Sequence, residues 1–346
     1  MLFHVGAIWR LNELGYLPKL DRVSSVSGGS ITNGVLGLNW ERLRFDDGVA
    51  SNLDEQLVRP IRKLASKTID KSAVFKGILL PGTIADRVAG AYRKHVVGDK
   101  TLQDLPDEPR FIFNATSMQT GALWRFSKPY MADYRVGMVR NPKVELAVAI
   151  AASSAFPPIL SPVEFDIDPA SWDPSANGPL HQEPYTTRPM LSDGGVYDNL
   201  GLETAWKRYR TILVSDGGGR MGGQPKPKHD WARHAYRTLG VIDTQVRNLR
   251  KRQVVAGYLT GDRDGTYWGI RSHIGDYGPP TGTLHCPDDK ALILARTATR
   301  LAQMDDTLQE RLINWGYAIC DAGMRRWVVP DAPPPGDFPY PAAGVG

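Results

Sequence analysis

Apolar residues open the chain at helical intervals: Leu2, Val5, Ile8, Leu11 and Leu14 stand three apart, and Trp9 falls four beyond Val5. That spacing predicts a helix over residues 2–14, closed by Gly15 and Pro18. Residues 21–26 then predict a short strand, residues 27–30 a tight turn, and residues 31–38 the start of a second helix. The stretch 45–105 predicts mainly helix, punctuated by Pro60, Pro81 and Gly82. Residues 110–116 predict a strand, and 121–126 its hairpin partner. An alanine-rich helix is expected over 144–154, stopped by Phe156-Pro157-Pro158. The polar, proline-studded residues 166–189 predict a surface loop. After it come a strand at 190–192, the turn Asp193-Gly194-Gly195 and a helix from about Gly201. Residues 211–215 form the clearest buried strand of the pattern. Long helices near 231–257 and 289–325 flank a strand around 267–272. The proline- and glycine-rich residues 328–346 predict an unstructured tail.

Strands alternating with helices predict a mostly parallel sheet covered on both faces. With no internal repeat and no linker, one domain over 1–327 followed by the tail is the economical organisation. At 346 residues, 42% hydrophobic and 23% charged, the chain has the balance of an ordinary soluble globular protein. Its formal net charge of +5 favours anionic surfaces. The basic residues are scattered, and no nucleic-acid-binding motif is present, so no nucleic-acid partner is expected. Two cysteines, Cys286 and Cys320, make no disulfide framework; a reducing, cytoplasmic setting is the simpler expectation. No apolar run approaches the ~20 residues of a membrane span. The first ten residues, interrupted by His4 and Arg10, read as an amphipathic helix rather than a signal peptide. The seven histidines lack metal-ligand spacing, so surface or core roles are expected for them.

The candidate chemistry lies in the two tight turns. A serine at the apex of a sharp strand-to-helix turn is a nucleophile elbow, usually flanked by small residues in a G-x-S-x-G pattern. Here the string is Ser25-Val26-Ser27-Gly28-Gly29, with Ser25 in place of the first glycine. The predicted strand before Ser27 and helix after it are what raise this above an ordinary serine-glycine turn. The α/β-hydrolase fold places its elbow after the fifth strand, and residues 1–26 are too few to build that. Asp193, at the end of a predicted strand, supplies a candidate carboxylate base.

Taken together, these strings resemble the patatin-like phospholipase family. Residues 3–15, the elbow, Thr101-Leu102-Gln103-Asp104-Leu105-Pro106, Asn114-Ala115-Thr116 with Thr120-Gly121, Ala152-Ser153-Ser154-Ala155-Phe156-Pro157-Pro158 and the Asp193 turn agree with it in order and spacing. The resemblance implies a patatin-like three-layer α/β/α fold and a Ser27–Asp193 dyad without histidine. It also implies a lipid or other acyl ester as substrate, and no metal or organic cofactor. The family carries a first strand and a glycine-rich oxyanion loop ahead of its first helix. Here that helix is already under way at Leu2, so the first strand is expected to be missing, leaving the Gly28 N–H as an oxyanion donor. Asp216-Gly217-Gly218-Gly219 resembles the loop but opens no helix, and a flexible surface loop is expected there. Two other readings stay open: a lipid-binding scaffold impaired in catalysis, and a non-lipolytic esterase or thioesterase. His4 is expected to be a bystander, and Asp198 a cap for the helix near Gly201. The run 247–252 is expected to be a solvated helix face or a contact for anionic lipid. Residues 74–80 are expected to be a buried helix end or a lipid-facing lid. Peripheral membrane contact is therefore an expectation too.

Overall fold

The computed structural model describes residues 1–68, 84–157, 160–219, 221–278, 280–298 and 302–346; the candidate lid at 74–80 lies outside them. Helix α1 (Leu2–Glu13) buries Leu2, Phe3, Val5, Ala7 and Leu11, and all of these but the alanine contribute roughly 1.5–3 kcal/mol each when fully removed from water. Strand β1 (Arg22–Ser25) and helix α2 (Gly28–Asn39) follow, with Val26 and Ser27 between them. Next come β2 (Phe45–Asp46), β3 (Val49–Ala50), α3 (Arg59–Ala65) and α4 (Ile84–Tyr92). A run of strands follows: β4 (Arg110–Ser117), β5 (Leu123–Phe126), β6 (Tyr130–Asp133) and β7 (Gly137–Arg140). Then come α5 (Leu146–Ser153), β8 (Val163–Glu164), β9 (Met190–Asp193), α6 (Gly195–Asp198) and α7 (Glu203–Trp206). The last elements are β10 (Thr211–Asp216), α8 (Trp231–Leu259), β11 (Asp264–Gly269), α9 (Asp288–Leu294) and α10 (Asp306–Trp327).

The chain is α/β, but its main sheet is not the mostly parallel one expected. Seven strands run in the order β7-β6-β5-β4-β9-β8, with β1 also on β4. Every pairing in that sheet is antiparallel except β1 with β4. The second parallel pair among the described residues, β10 with β11, forms a sheet of its own. Phe111, Ile112 and Phe113 of β4 are buried on both faces of the sheet. Such a run reads alike whichever way its neighbours point.

Two other expectations change. The single helix over 289–325 is two, because Asp305 turns its side chain back to accept the Leu308 N–H (2.9 Å) and starts α10 afresh. Between the two helices, the Met304 N–H bonds the Ala65 carbonyl (2.9 Å). The tail, expected to be unstructured, has no helix or strand but is tied to α10. Asn314 accepts the Tyr340 N–H (3.0 Å) and donates to the Tyr340 and Gly344 carbonyls (2.8 Å each), and Val345 is buried.

Helix α10 crosses α1 closely. An added Cβ on Gly6 would overlap the Ile313 carbonyl, and one on Gly316 would overlap the Phe3 carbonyl, so both helices need a bare backbone there. Beside the crossing, Arg10 donates to Asp321 (2.8 Å), with both side chains buried.

Candidate active site

Strands β1 and β9 lie end to end on the same edge of β4. β1 runs parallel to it, with Ser25 opposite Phe113, and β9 runs antiparallel, with Asp193 opposite Ala115. Strand β5 takes the other edge over the same residues. The C-terminal ends of β1 and β9 therefore run toward each other and meet level with Asn114. Ser27 lies just past the end of β1 and Asp193 ends β9, and this is how residues so distant in sequence come together.

Three groups hold the junction. The Asn114 side chain donates to Ser24 Oγ and to the Ser25 carbonyl (2.9 Å each). The Thr116 hydroxyl donates to the Asp193 carbonyl (2.8 Å). The Ser153 carbonyl, at the last residue of α5, accepts both the Ser27 N–H (3.0 Å) and the Gly194 N–H (3.2 Å). One oxygen thus ties the two turns to each other. Beneath it, a buried chain runs from Asn33 to Ser25 (2.8 Å), Ser30 (2.9 Å) and Ser153 (2.7 Å) through their side chains. The string 152–158 was legible as a motif, but a main-chain carbonyl leaves no side-chain signature of this role.

Ser27 has φ 53° and ψ −133°, in the region that favours glycine. It occupies the N-cap of α2, yet its hydroxyl makes no capping bond. Serine is common at N-caps because it satisfies a free N–H there; this one is strained and leaves its hydroxyl uncommitted. It is half-buried, so a ligand can reach it. The Gly28 N–H, the first of the helix, makes no hydrogen bond among the described residues.

Asp193 is buried. Its Oδ1 accepts the Gly195 N–H (2.7 Å), and its Oδ2 has no hydrogen-bond partner. Burial raises the carboxyl to about 6, against the pull of the Gly195 N–H and of the nearby Ser27 hydroxyl. The Ser27 contact is thus close enough to act on the carboxylate but looser than a well-formed hydrogen bond. Asp243 and Arg247, both on α8, act on it from farther away and in opposite directions.

The glycines do not divide the work as expected. An added Cβ on Gly28 or Gly29 would meet only ordinary contacts, 3.5 Å from the Met1 nitrogen and 3.8 Å from the His4 ring. The crowded positions are Gly34 and Gly37 further along α2, and above all Gly194. Its Cβ would overlap the Asn114 carbonyl and stand 2.5 Å from Val26 Cγ1. Gly194→Ala is therefore expected to push the Asp193 turn off the elbow. A displacement of that kind costs about a hundredfold in turnover, to be read as kcat on an acyl ester with circular dichroism as the check on folding.

The other candidates fall as follows. Asp198 caps, accepting the Leu200 N–H (3.2 Å) and the Glu203 N–H (2.8 Å), though the helix it caps is the single turn α7. His4 does sit beside the elbow, against Gly29 and Gly217, with Nδ1 2.8 Å from Ser215 Oγ. Burial lowers its pKa and keeps the ring neutral. The loop after β10 packs on this ring rather than opening a helix, and Gly218 N–H folds back to Asp216 Oδ1 (2.9 Å). Cys286 and Cys320 are both free and buried. Among the described residues no three His, Cys, Asp or Glu side chains gather as a metal site, and no helix is long and apolar enough to cross a membrane.

None of the curated proteins compared with this chain matches it. The sequence model of the patatin-like phospholipase family matches residues 1–206, a span that holds both turns, the junction at Asn114 and the Ser153 carbonyl. Matched over more than half its length, the chain belongs to the patatin-like phospholipase family.

Proposed function

We propose that this chain hydrolyses carboxylic esters of lipids through an acyl-enzyme on Ser27, with Asp193 as the base. The observation that carries the reading is the pairing of a strained, non-capping serine at a helix N-terminus with a buried carboxylate whose Oδ2 is free. Membership of a family of lipid acyl hydrolases supports the substrate class.

In the reaction, Asp193 Oδ2 takes the Ser27 proton as Oγ attacks the acyl carbonyl. The oxyanion forms at the N-terminus of α2, where the helix dipole and the unbonded Gly28 N–H favour negative charge. Asp193 then passes its proton to the departing alcohol, and the acyl group stays on Ser27. Water, deprotonated in turn by Asp193, attacks the acyl-enzyme and releases the carboxylic acid. A carboxyl near pKa 6 is ionised at neutral pH yet more basic than a free aspartate, which suits it to this shuttle.

The test is a series of p-nitrophenyl and glycerol esters of increasing acyl length, assayed as monomers and above the micelle threshold. Release of acid that rises with chain length and at the micelle surface is expected. Hydrolysis of short monomeric esters alone would make the chain a non-lipolytic esterase. No release from any ester by folded protein would overturn the reading.

A further inference from the structure

Helix α8 is the longest element described, and most of it is uncovered. Of its 29 residues only Val254 and Gly257 are buried. One side holds the protein. Asp243 accepts from Asn199 Nδ2 (2.6 Å), Arg250 pairs with Glu203 (3.2 Å), and the Tyr258 hydroxyl donates to the Ile212 carbonyl (2.7 Å). A different side carries Trp231, Ile242 and Leu249, which are 85%, 54% and 58% exposed. Spacings of eleven and seven put these three within about 20° of one line down the helix. Arg252 and Arg237 lie to one side of that line, about 60° and 120° round the helix, and Arg252 is exposed. Over its whole length α8 has six arginines and lysines against one carboxylate, Asp243.

A solvated helix has no reason to keep an apolar stripe, least of all one ending in an exposed tryptophan. A tryptophan-tipped apolar stripe with a basic flank has the composition of a helix lying in a lipid interface. Its charge complements anionic headgroups. Its position fits as well. Asn199, which Asp243 holds, lies six residues past Asp193 on the turn that leaves the candidate site.

We propose that α8 seats the protein on an anionic lipid bilayer, with Trp231, Ile242 and Leu249 among the headgroups and the basic flank on the phosphates. The inference deepens the lipid hydrolase reading and rests on it for the biological sense of the surface. Binding itself needs neither Ser27 nor Asp193.

The full chain is mixed with vesicles of ether-linked phosphatidylcholine, with and without ether-linked phosphatidylglycerol. These lipids have no acyl ester, so binding is read separately from hydrolysis. Co-sedimentation with the anionic vesicles at low salt is expected, weakening as salt rises. Trp231→Ser/Ile242→Ser/Leu249→Ser is expected to lower the partition coefficient by at least about tenfold. These side chains are exposed, so the variant keeps its circular dichroism and melting temperature. Arg237→Gln/Arg252→Gln is expected to weaken binding to the phosphatidylglycerol vesicles by about tenfold or more. Absence of vesicle binding, or binding unchanged in the serine variant, overturns the proposal even if esters are hydrolysed. A concentration-dependent dimer that the serine variant abolishes, without vesicle binding, overturns it in favour of an interface between two copies of this chain.

Discussion

Ser27→Ala is expected to abolish covalent labelling by a fluorophosphonate and to lower ester hydrolysis by roughly 10⁴–10⁶-fold, the scale seen when a nucleophile is deleted from an acyl-transfer site. The fold should not suffer, because alanine pays the same backbone cost at φ 53° and the serine hydroxyl makes no capping bond to lose. Ser27→Gly sharpens the experiment. It is equally inert as a nucleophile, but it relieves a conformation that costs a non-glycine residue about 1–2 kcal/mol. The glycine variant should therefore unfold at higher urea than either the alanine variant or the parent. A glycine variant more stable than the parent is the outcome expected if Ser27 is placed there for its chemistry. If Ser27→Ala still labels, the nucleophile lies elsewhere and the site is misassigned.

Asp193→Asn should likewise lose activity while gaining stability. Removing the base is expected to lower kcat by about 10²–10⁴-fold, and the parent's kcat/KM should rise with pH through about 6 as the carboxyl ionises. The folded-state pKa, about 6, lies above the ordinary value of 3.8. The folded chain thus holds this proton more tightly than the unfolded chain does. Its contribution to stability is fully present below pH 4 or so and is lost as pH rises through about 6. At neutral pH the buried, ionised carboxylate is a net cost. Asparagine removes that cost and keeps an oxygen for the Gly195 N–H. The variant should gain on the order of 1–3 kcal/mol at pH 7–8 and almost nothing near pH 4. Urea denaturation at the two pH values reads this directly. Equal stability of parent and variant at both would mean that the carboxyl is not desolvated as the structure indicates.

Ser27 and Asp193 stand out in the sequence as candidates, because each stands at a turn whose flanking pattern changes from strand to helix. The geometry that joins them does not. An end-to-end meeting of β1 and β9 on one edge of β4 requires opposite strand directions, and nothing in Phe111-Ile112-Phe113 reports direction. The antiparallel strands β6 and β7 are four residues each, too short for alternation to stand out from the surrounding loop. The break before α10 turned on Asp305 as a cap, a signal present in the sequence but hidden within an otherwise periodic stretch. The tail's attachment depends on Asn314, a polar residue inside a helix whose side chain finds its partners about 26 and 30 residues away. Proline and glycine content correctly forecast a lack of helix and strand there, and said nothing about where the backbone groups would find hydrogen bonds.

The crossing of α1 and α10 also bears on how the molecule is made. A ribosome releases α1 first and α10 some three hundred residues later, and the bare strip around Gly6 has no cover in between. Contacts of such long range form late, after the entropy of a very large loop has been lost. The elbow, which follows α1 closely in the chain, therefore cannot be braced from that side until α10 has left the tunnel. The family-matched residues 1–206 end well before α10. A fragment cut at that boundary would carry Ser27 and Asp193 with an open apolar seam along α1, and would be prone to collect on itself or on chaperones rather than fold.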